Sequence, residues 1–281
     1  MRIVMDSVGD VPTAIAQELQ IAIVPVNITF GDEAFLAGVT MDHAAFYRKV
    51  ETVTAVNFPK TAQPTPYQFL ECYKEILATG ETEILTIVVS QKLAGTMQSV
   101  RLAAEMLEGQ GKFYAFDSMG GSAAQGYLAI EAARMARAGV DFETIIARLT
   151  IMRDATVTIF TIDSLEYALK GGRVSAMKSI MASMLSIKPV LQLTDGEIIE
   201  AGRVRTRKKA IQHIVDEVQQ RVGDTPVKTA VIHAHSPADA QTLQALAAAQ
   251  LNLVETIEVE MSIAVAINLG PGALGLVAVP V

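Results

Sequence analysis

Three short polar segments each follow an apolar run that predicts a β-strand. These segments are Asp6-Ser7, Ser90–Thr96 and Asp117-Ser118. If the strands are parallel, their carboxyl ends meet at one edge of the sheet, where ligands bind in open α/β folds. The small residues of Ser90–Thr96 precede a predicted helix, so this segment either turns backbone N–H groups toward an anion or is only a tight turn. The spacing therefore predicts a single rim that carries all three segments.

Serines on this rim raise the question of catalysis. Ser7, Ser90 or Ser118 would be the nucleophile of a hydrolase or transferase that acts on acyl substrates. No serine lies in a G-x-S-x-G nucleophile elbow, and the histidines lie in other segments of the chain. We therefore assign no catalytic residue and keep an enzyme as the alternative to a binding protein.

Two histidines are candidate metal ligands. His233 and His235 lie two residues apart at the end of a predicted strand, so their side chains are expected on the same face. A metal site needs a third ligand, and the nearest acidic residue, Asp239, is not suitably spaced. We expect neither a metal nor another cofactor.

The segment 261–281 contains no charged residue. Its length would allow a membrane span, but Asn268 and the Gly270-Pro271-Gly272 turn would break a helix there, and no Lys or Arg flanks it. We interpret it as two short buried strands joined at the turn, and we expect no integral membrane segment. The glycines either allow a close backbone approach to a ligand or only connect the strands.

Composition excludes several classes of protein. Of the 281 residues, 51% are hydrophobic and 19% are charged, and the net charge is −7. A mainly disordered chain is excluded, and so is a protein that coats nucleic acid. The surplus of apolar residues predicts a partner interface, a second core or an apolar pocket. The single cysteine, Cys72, and the absence of a signal peptide lead us to expect a cytoplasmic protein.

One stretch departs from the overall acidity of the chain. Between Glu166 and Lys209, nine basic residues face four acidic ones, which gives a local charge of +5. This stretch is either an ordinary solvated face or a docking surface for an acidic partner or a phosphorylated ligand.

Three methionines share one face of a predicted helix: Met177, Met181 and Met184. Such a face is typical of an ordinary core. Methionine also adapts to an irregular apolar shape such as a flexible acyl chain.

The order of the predicted elements indicates an α/β protein with two domains. In residues 1–155, strands alternate with amphipathic helices, which predicts a mostly parallel sheet in a three-layer α/β/α domain. Ile21–Phe30 is expected to be one of its strands. In residues 156–281, Asp195-Gly196 between two apolar runs predicts a hairpin, and we expect an α+β domain with a mixed sheet.

Several segments, in order along nearly the whole chain, resemble the DegV family. Asp6–Pro12 resembles the family's opening D-S-x-x-D-L-P element, Thr61–Thr65 its T-S-Q-P-S box, and Ser90–Ser99 its S-S-x-L-S-G-T-Y-Q-S loop. The other matching segments are Asp117-Ser118 with Ser122 and Gly126, Leu165–Tyr167, Lys170–Ser175, Ile187–Pro189, Asp195–Ile198, Arg205 with Arg207–Lys209, and Gly270–Ala273.

This resemblance implies two domains that hold one long-chain fatty acid, such as palmitate, in an apolar tunnel, with its carboxylate at the domain interface. It also implies a partner, a fatty acid kinase subunit, to which this chain presents the fatty acid without supplying an ATP site. The lipid-binding residues are expected to be Ser7, Thr61, Ala62, Gln63, Ser90, Ala94, Gly95, Thr96, Ser118, Asn268, Gly272 and Ala273. The partner-docking residues are expected to be Arg173, Arg203 and Arg205.

Several positions depart from the family pattern. Ala62 and Ala94 stand where serines are usual, Asn268 stands where a histidine is common, and Gln91 and Met97 replace a serine and a tyrosine. A buried carboxylate needs hydrogen-bond donors, so other side chains and backbone N–H groups must supply them. The alternatives are a neutral lipid, a different head group, or a lipid-sensing regulatory protein that does not present a substrate.

Overall fold

The structure is a computed structural model in which residues 1–174 and 187–281 are described. The chain separates into two compact units. The first comprises Met1–Arg153 together with Ser262–Ala264, and the second comprises Asp154–Met261 together with Val265–Val281. The predicted helix with Met177, Met181 and Met184 lies outside the described residues.

The first unit contains two sheets. Its strands are β1 (Arg2–Asp6), β2 (Ala22–Val24), β3 (Asn27–Phe30), β4 (Glu33–Leu36), β5 (Pro59–Ala62), β6 (Glu83–Val88) and β7 (Lys112–Asp117). The larger sheet has the order β2-β1-β6-β7, and all its pairs are parallel. The smaller sheet has the order β4-β3-β5 and is antiparallel. Parallel strands with intervening helices confirm the predicted α/β fold of this part of the chain.

Helices cover both faces of the parallel sheet. The helices in this part of the chain are α1 (Thr13–Glu18), α2 (His43–Val50), α3 (Pro66–Ala78), α4 (Thr96–Glu105), α5 (Ser122–Arg137) and α6 (Phe142–Ala155). Helices α3 and α4 pack on Val4, Ile84 and Val88. Alternate strand residues point to the opposite face, where α5 packs against β1 and β6 and Gln125 donates to the main-chain oxygen of Ile87.

The expected strand Ile21–Phe30 is wrong as a single element. The structure has β2 and β3 instead, and these belong to different sheets. Pro25 lies between them, and proline cannot donate a ladder hydrogen bond, so it ends the pairing of β2 with β1. The chain then turns into the small antiparallel sheet, which brings β5 and the residues after it toward the rim.

In the described residues of the second unit, six strands form a mixed sheet. Its strands are β8 (Val157–Thr161), β9 (Lys188–Thr194), β10 (Glu197–Val204), β11 (Val227–His233), β12 (Leu253–Glu260) and β13 (Leu274–Pro280). The order is β10-β9-β8-β13-β11-β12, and of these pairs β11–β12 is parallel. The predicted hairpin is confirmed, since Asp195 and Gly196 both have positive φ and join antiparallel β9 and β10.

The described helices of the second unit are α7 (Leu165–Gly171), α8 (Arg207–Val222), α9 (Pro237–Gln250) and α10 (Ile263–Leu269). Helices α8 and α9 pack against the sheet to form its core, in which Ile214, Val218 and Leu243 are fully buried. The mixed sheet with these helices confirms the predicted α+β character of this region.

The interpretation of segment 261–281 is half wrong. Its second half is the buried strand β13, but its first half is the helix α10 rather than a strand. A run of apolar residues buried on every side carries no periodicity that separates a helix from a strand. In the described part of the chain, no helix is both long enough and apolar enough to cross a bilayer.

Candidate functional site

The three polar segments meet at the carboxyl edge of the parallel sheet. The backbone N–H of Val89 donates to Asp6 Oδ2 at 3.0 Å, which joins the ends of β1 and β6. The Gln91 amide donates to Asp117 Oδ2 at 3.0 Å, and the Ser90 N–H donates to the Gly120 oxygen at 2.8 Å, which join the loops after β6 and β7. The structure therefore brings Asp6-Ser7, Ser90–Thr96 and Asp117-Ser118 to one rim.

The hydroxyl groups of the three rim serines hold backbone turns. Ser7 Oγ accepts from the Val26 N–H at 2.9 Å. Ser90 Oγ accepts from the N–H two residues later at 3.2 Å, and Ser118 Oγ does the same at 3.1 Å. The bonds of Ser90 and Ser118 are local turns of the kind that favours serine, whereas the bond of Ser7 links the turn after β1 to the segment between β2 and β3.

The first turn of α4 offers backbone N–H groups on this rim. Gly95 is the N-cap residue, and within the described residues no side chain caps the helix. The first N–H groups of a helix have no partner inside the helix, and the positive end of its dipole favours an anion. Thr96, the first helical residue, is only 1% exposed. This turn is therefore suited to bind an oxyanion.

Gln63 lies directly over this helix start. A β-carbon at Gly95 would lie 2.5 Å from Gln63 Oε1, so glycine allows the amide to approach the backbone. Gln63 Nε2 donates to Ser99 Oγ at 3.3 Å, and the Gln63 main-chain oxygen accepts from Asn27 Nδ2 at 3.1 Å. The side-chain amide and the first turn of α4 thus form one polar surface.

Three further residues that were predicted to bind lipid are Thr61, Ala62 and Ala94. Thr61 is half-buried on β5, where it pairs with Ile28, and Ala62 is exposed and pairs with Asn27. Ala94 is half-buried, and its N–H donates to the Ser90 oxygen at 3.1 Å. The methyl groups of Ala62 and Ala94 add no hydrogen-bond donor to this rim. The roles of Thr61, Ala62 and Ala94 in ligand binding stay predictions.

Two buried carboxylates stand behind the rim, and sequence reasoning did not assign them a role. Asp6 is fully buried and accepts from the N–H groups of Val8 and Val89 at 2.9 and 3.0 Å. Asp10 is also buried and accepts from the Ser262 N–H at 2.8 Å and from Ser122 Oγ. Burial disfavours the charged form and raises the pKa of each carboxyl to about 6, against the opposing effect of these hydrogen bonds.

Gly126 allows helix α5 to approach the turn that carries Asp10. A β-carbon at Gly126 would overlap the main-chain oxygen of Asp10, so α5 can pack against the turn after β1 only with glycine at this position. The family motifs contain Asp10, Ser122 and Gly126, but nothing in their spacing indicates that they touch one another.

The turn of the second unit that carries Gly272 and Ala273 follows α10 rather than a strand. Gly270 and Gly272 have φ of 82° and 84°. Their N–H groups donate to Ala266 and Ala234 oxygens at 2.8 Å, and the Ala273 N–H donates to the Gly270 oxygen. Pro271 has no N–H, and the other three N–H groups of the turn donate to main-chain oxygens. The expected roles of Gly272 and Ala273 in lipid binding stay predictions.

Asn268 lies on α10 just before this turn. A β-carbon at Gly171 would lie 2.8 Å from Asn268 Oδ1, so the end of α7 packs closely on this side chain. Asn268 is half-buried. Its role in ligand binding stays a prediction.

The basic stretch is partly neutralised in the structure. Arg203 pairs with Glu200, Lys170 pairs with Glu166, and Lys188 and Arg207 pair with Asp163. Four further basic residues are exposed: Arg173, Arg205, Lys208 and Lys209. The ninth, Lys178, lies outside the described residues. Arg173 donates to the Gly171 oxygen at the end of α7 at 2.6 Å. Ion pairs therefore offset part of the positive charge that the sequence count assigns to this surface. Its role in docking a partner stays a prediction.

The two histidines do not share a strand face, contrary to the expectation. His233 ends β11, whereas His235 lies beyond it with φ of 56°. His233 Nδ1 accepts from the Ser236 N–H at 3.4 Å, and Nε2 lies 3.5 Å from Glu258 Oε1. Throughout residues 1–174 and 187–281, no three His, Cys, Asp or Glu side chains form a group that could hold a metal ion.

Comparisons with known proteins place this geometry in a family. A DegV family model matches residues 1–281. A DegV domain-containing protein of Listeria monocytogenes is 33% identical over 276 residues, which cover 98% of this chain and 96% of that protein. Protein DegV of Bacillus subtilis is 29% identical over 276 residues, which cover 98% and 97% of the two chains.

Solved structures of the same family have the same fold. A DegV family protein of Thermus thermophilus, described as fatty acid binding, superposes with a TM-score of 0.92 at 27% identity over 100% of both chains. DegV of Bacillus subtilis, described as a fatty acid binding protein, superposes with a TM-score of 0.86 at 27% identity over 100% of this chain and 99% of that one. With its whole length matched in both sequence and fold, the chain belongs to the DegV family.

Proposed function

We propose that this protein binds a long-chain fatty acid and that the first turn of α4, with Gln63, receives the carboxylate. The observation that carries the proposal is the uncapped start of α4 at Gly95 and Thr96, with the Gln63 amide above it. Family relatives of the same fold are described as fatty acid binding proteins, which supports the class of ligand.

The alkyl chain supplies most of the binding free energy. Each methylene removed from water contributes about 0.8 kcal/mol, so a palmitate chain offsets the cost of association, which is about 4–15 kcal/mol. The carboxylate then fixes the orientation of the ligand, since an anion left without donors is costly to bury. Palmitate is our expected ligand.

Native mass spectrometry tests the proposal. We expect the purified protein to carry a lipid mass and the delipidated protein to take up palmitate. Gln63→Glu places a negative charge against the ligand carboxylate and should weaken palmitate binding about tenfold, while binding of the neutral hexadecanol changes little.

Gln110→Glu is the matched control, because it makes the same change at an exposed position. It should leave both affinities unchanged. If no lipid co-purifies and the delipidated protein takes up no palmitate, the proposed function is wrong. If Gln63→Glu weakens palmitate and hexadecanol equally, the carboxylate is not held at α4.

We further propose that the protein is a carrier that presents the bound fatty acid to a separate kinase subunit. Exposed Arg173 and Arg205 support a docking surface for an acidic partner. Replacing both by serine should abolish capture of the kinase subunit by the palmitate-loaded protein, with palmitate affinity unchanged. Capture that persists would contradict this docking surface.

A further inference from the structure

The chain passes from the second unit into the first between two adjacent residues, Met261 and Ser262. The Met261 N–H donates to the His233 oxygen, at the end of β11, at 2.8 Å. The next N–H along the chain, that of Ser262, donates to Asp10 Oδ1 in the first unit, also at 2.8 Å. The segment Ser262–Ala264 is therefore bonded to the first unit from its first residue.

The Asp10 carboxyl makes the short hydrogen bond in the attachment of Ser262. The Ser262 hydroxyl also reaches the Val8 oxygen, but at 3.5 Å, which is at the limit for a hydrogen bond. Asp10 itself is held firmly, because its N–H donates to the Ser122 oxygen at 3.1 Å and its Oδ2 accepts from Ser122 Oγ. The carboxyl group is 6% exposed, so the attached segment leaves it almost no contact with water.

Few charges act on Asp10 from the elements around it. His43 on α2 is the charged group that affects it, and a positive charge there favours the ionised carboxylate. On α5 it meets the neutral hydroxyl of Ser122, and the segment 261–281 contains no charged residue. Asp6, the other buried carboxylate, accepts from N–H groups in the turn after β1 and at the end of β6 instead. Burial outweighs the opposing effects and raises the pKa of Asp10 to about 6.

The two protonation states differ in what detachment of Ser262–Ala264 would gain. The protonated carboxyl can donate from Oδ2 to Ser122 and accept at Oδ1 from the Ser262 N–H, so both bonds persist in the buried state. The ionised carboxylate gains hydration when the segment detaches, because a buried charge is costly. Detachment therefore becomes more favourable once Asp10 is ionised.

We infer that Asp10 is a pH-dependent anchor of Ser262–Ala264, which holds the segment on the first unit when protonated and releases it more often when ionised. The anchor is independent of the proposed fatty-acid binding. With the segment detached, the pKa of Asp10 returns toward the ordinary 3.8, so attachment is strongest near pH 4 and weakens as pH rises through about 6.

Amide hydrogen exchange of Ser262, followed by NMR, tests the inference in the protein without added ligand. After correction for the intrinsic pH dependence of exchange, we expect protection of this amide to be about tenfold lower at pH 7.5 than at pH 4.5. Adding about 0.5 M urea should leave this protection unchanged, because a local opening exposes little new surface. The Met261 amide is the internal reference, since it donates to a main-chain oxygen, and its protection should change less with pH.

Two variants assign the effect to one group. Asp10→Asn keeps an acceptor for the Ser262 N–H and a polar partner for Ser122 but does not titrate, so protection of Ser262 should be the same at both pH values. His43→Gln is the matched control, because it removes the ionisable group that acts on Asp10 and leaves Asp10 in place. The pH-dependent loss of protection should persist in His43→Gln.

Four results would overturn the inference. The first is wild-type protection of Ser262 that does not change with pH, which needs no variant to fold. The others are a pH-dependent loss that persists in Asp10→Asn, one that disappears in His43→Gln, and one as sensitive to urea as global unfolding. None of these results bears on palmitate uptake, so the proposed function stands or falls separately.

Discussion

Asp10 shows how one residue ties the rim to a distant part of the chain. Its Oδ1 accepts from a backbone N–H, which is always a donor, whereas its Oδ2 faces the hydroxyl of Ser122, which can either donate or accept. A proton on Oδ2 can therefore be donated to Ser122 without losing a hydrogen bond. Asp6 differs, because both of its oxygens accept from backbone N–H groups.

Stability should therefore depend on pH through Asp10. Its pKa is about 6 in the folded protein against an ordinary 3.8, so the folded state binds the proton more tightly than the unfolded state. The free energy of unfolding then falls as pH rises from about 4 to above 6. Asp10→Asn keeps both hydrogen bonds and removes this charge, so we expect a shallower fall, measured by urea denaturation at pH 4.5, 5.5, 6.5 and 7.5.

Asp32→Asn makes the same change at an exposed carboxylate and should leave the pH dependence of wild type. Parallel curves for Asp10→Asn and wild type would contradict the assignment of this pH dependence to Asp10.

For individual residues, the sequence predicted their position in the fold better than the hydrogen bonds that they make. The rim segments follow from the pattern of apolar runs, because parallel strands bring their carboxyl ends together. The use of Ser7, Ser90 and Ser118 as acceptors of backbone N–H groups depends on turn conformations that the spacing does not specify. The bond between Asp10 and Ser262 spans 252 residues and leaves no local signal.

Among the elements, α3 is joined to the segment between β2 and β3 by the side chain of Gln68 in its first turn. Gln68 Oε1 accepts from the Thr65 N–H at 2.9 Å, which completes a capping box, and from Asn27 Nδ2 at 3.0 Å. Gln68 Nε2 donates to the Pro25 oxygen at 3.0 Å. One amide thus holds the start of α3 and the bend between β2 and β3.

Loss of this amide should destabilise the protein. We expect Gln68→Ala to lower the free energy of unfolding by about 2 kcal/mol, because a helix cap and a bond to the Pro25 oxygen are lost together. Gln98→Ala, at an exposed position on α4, should change it by less than about 0.5 kcal/mol. Thermal or urea denaturation measures both, and equal effects of the two substitutions would count against this role of Gln68.

The boundaries of elements were predictable where periodicity was strong. The apolar stripe of Phe69, Tyr73 and Ile76 indicates α3 because these residues recur at helical spacing, and all three are buried. Pro25 divides a run that otherwise has strand composition, and α10 has the composition of a buried strand. The first error overlooks a local signal, because proline cannot donate to a strand ladder. The second arises where tertiary packing decides between conformations that an apolar run permits equally.

For the molecule as a whole, ligand binding should appear as a gain in stability. A ligand that binds only the folded state stabilises it by about 2.7 kcal/mol at 100 times its Kd. For a protein of this size, such a gain raises Tm by roughly 5–10 °C. We expect this shift when palmitate is added to the delipidated protein, and a smaller one at the same palmitate concentration for Gln63→Glu. A Tm that does not change with palmitate concentration would contradict the proposed binding.

The two compact units do not correspond to two uninterrupted stretches of sequence. Ser262–Ala264 belongs to the first unit although about a hundred residues of the second precede it. Alternation of strands and helices predicts which elements pair within each half. It does not indicate that three residues, Ser262–Ala264, return to the first unit.

This return has a consequence for biosynthesis. A ribosome completes the parallel sheet of the first unit long before it reaches codon 262, and until then Asp10 lacks the main-chain partner that it has in the finished protein. We therefore expect the nascent first unit to complete its hydrogen bonds only after the ribosome has synthesised Ser262–Ala264.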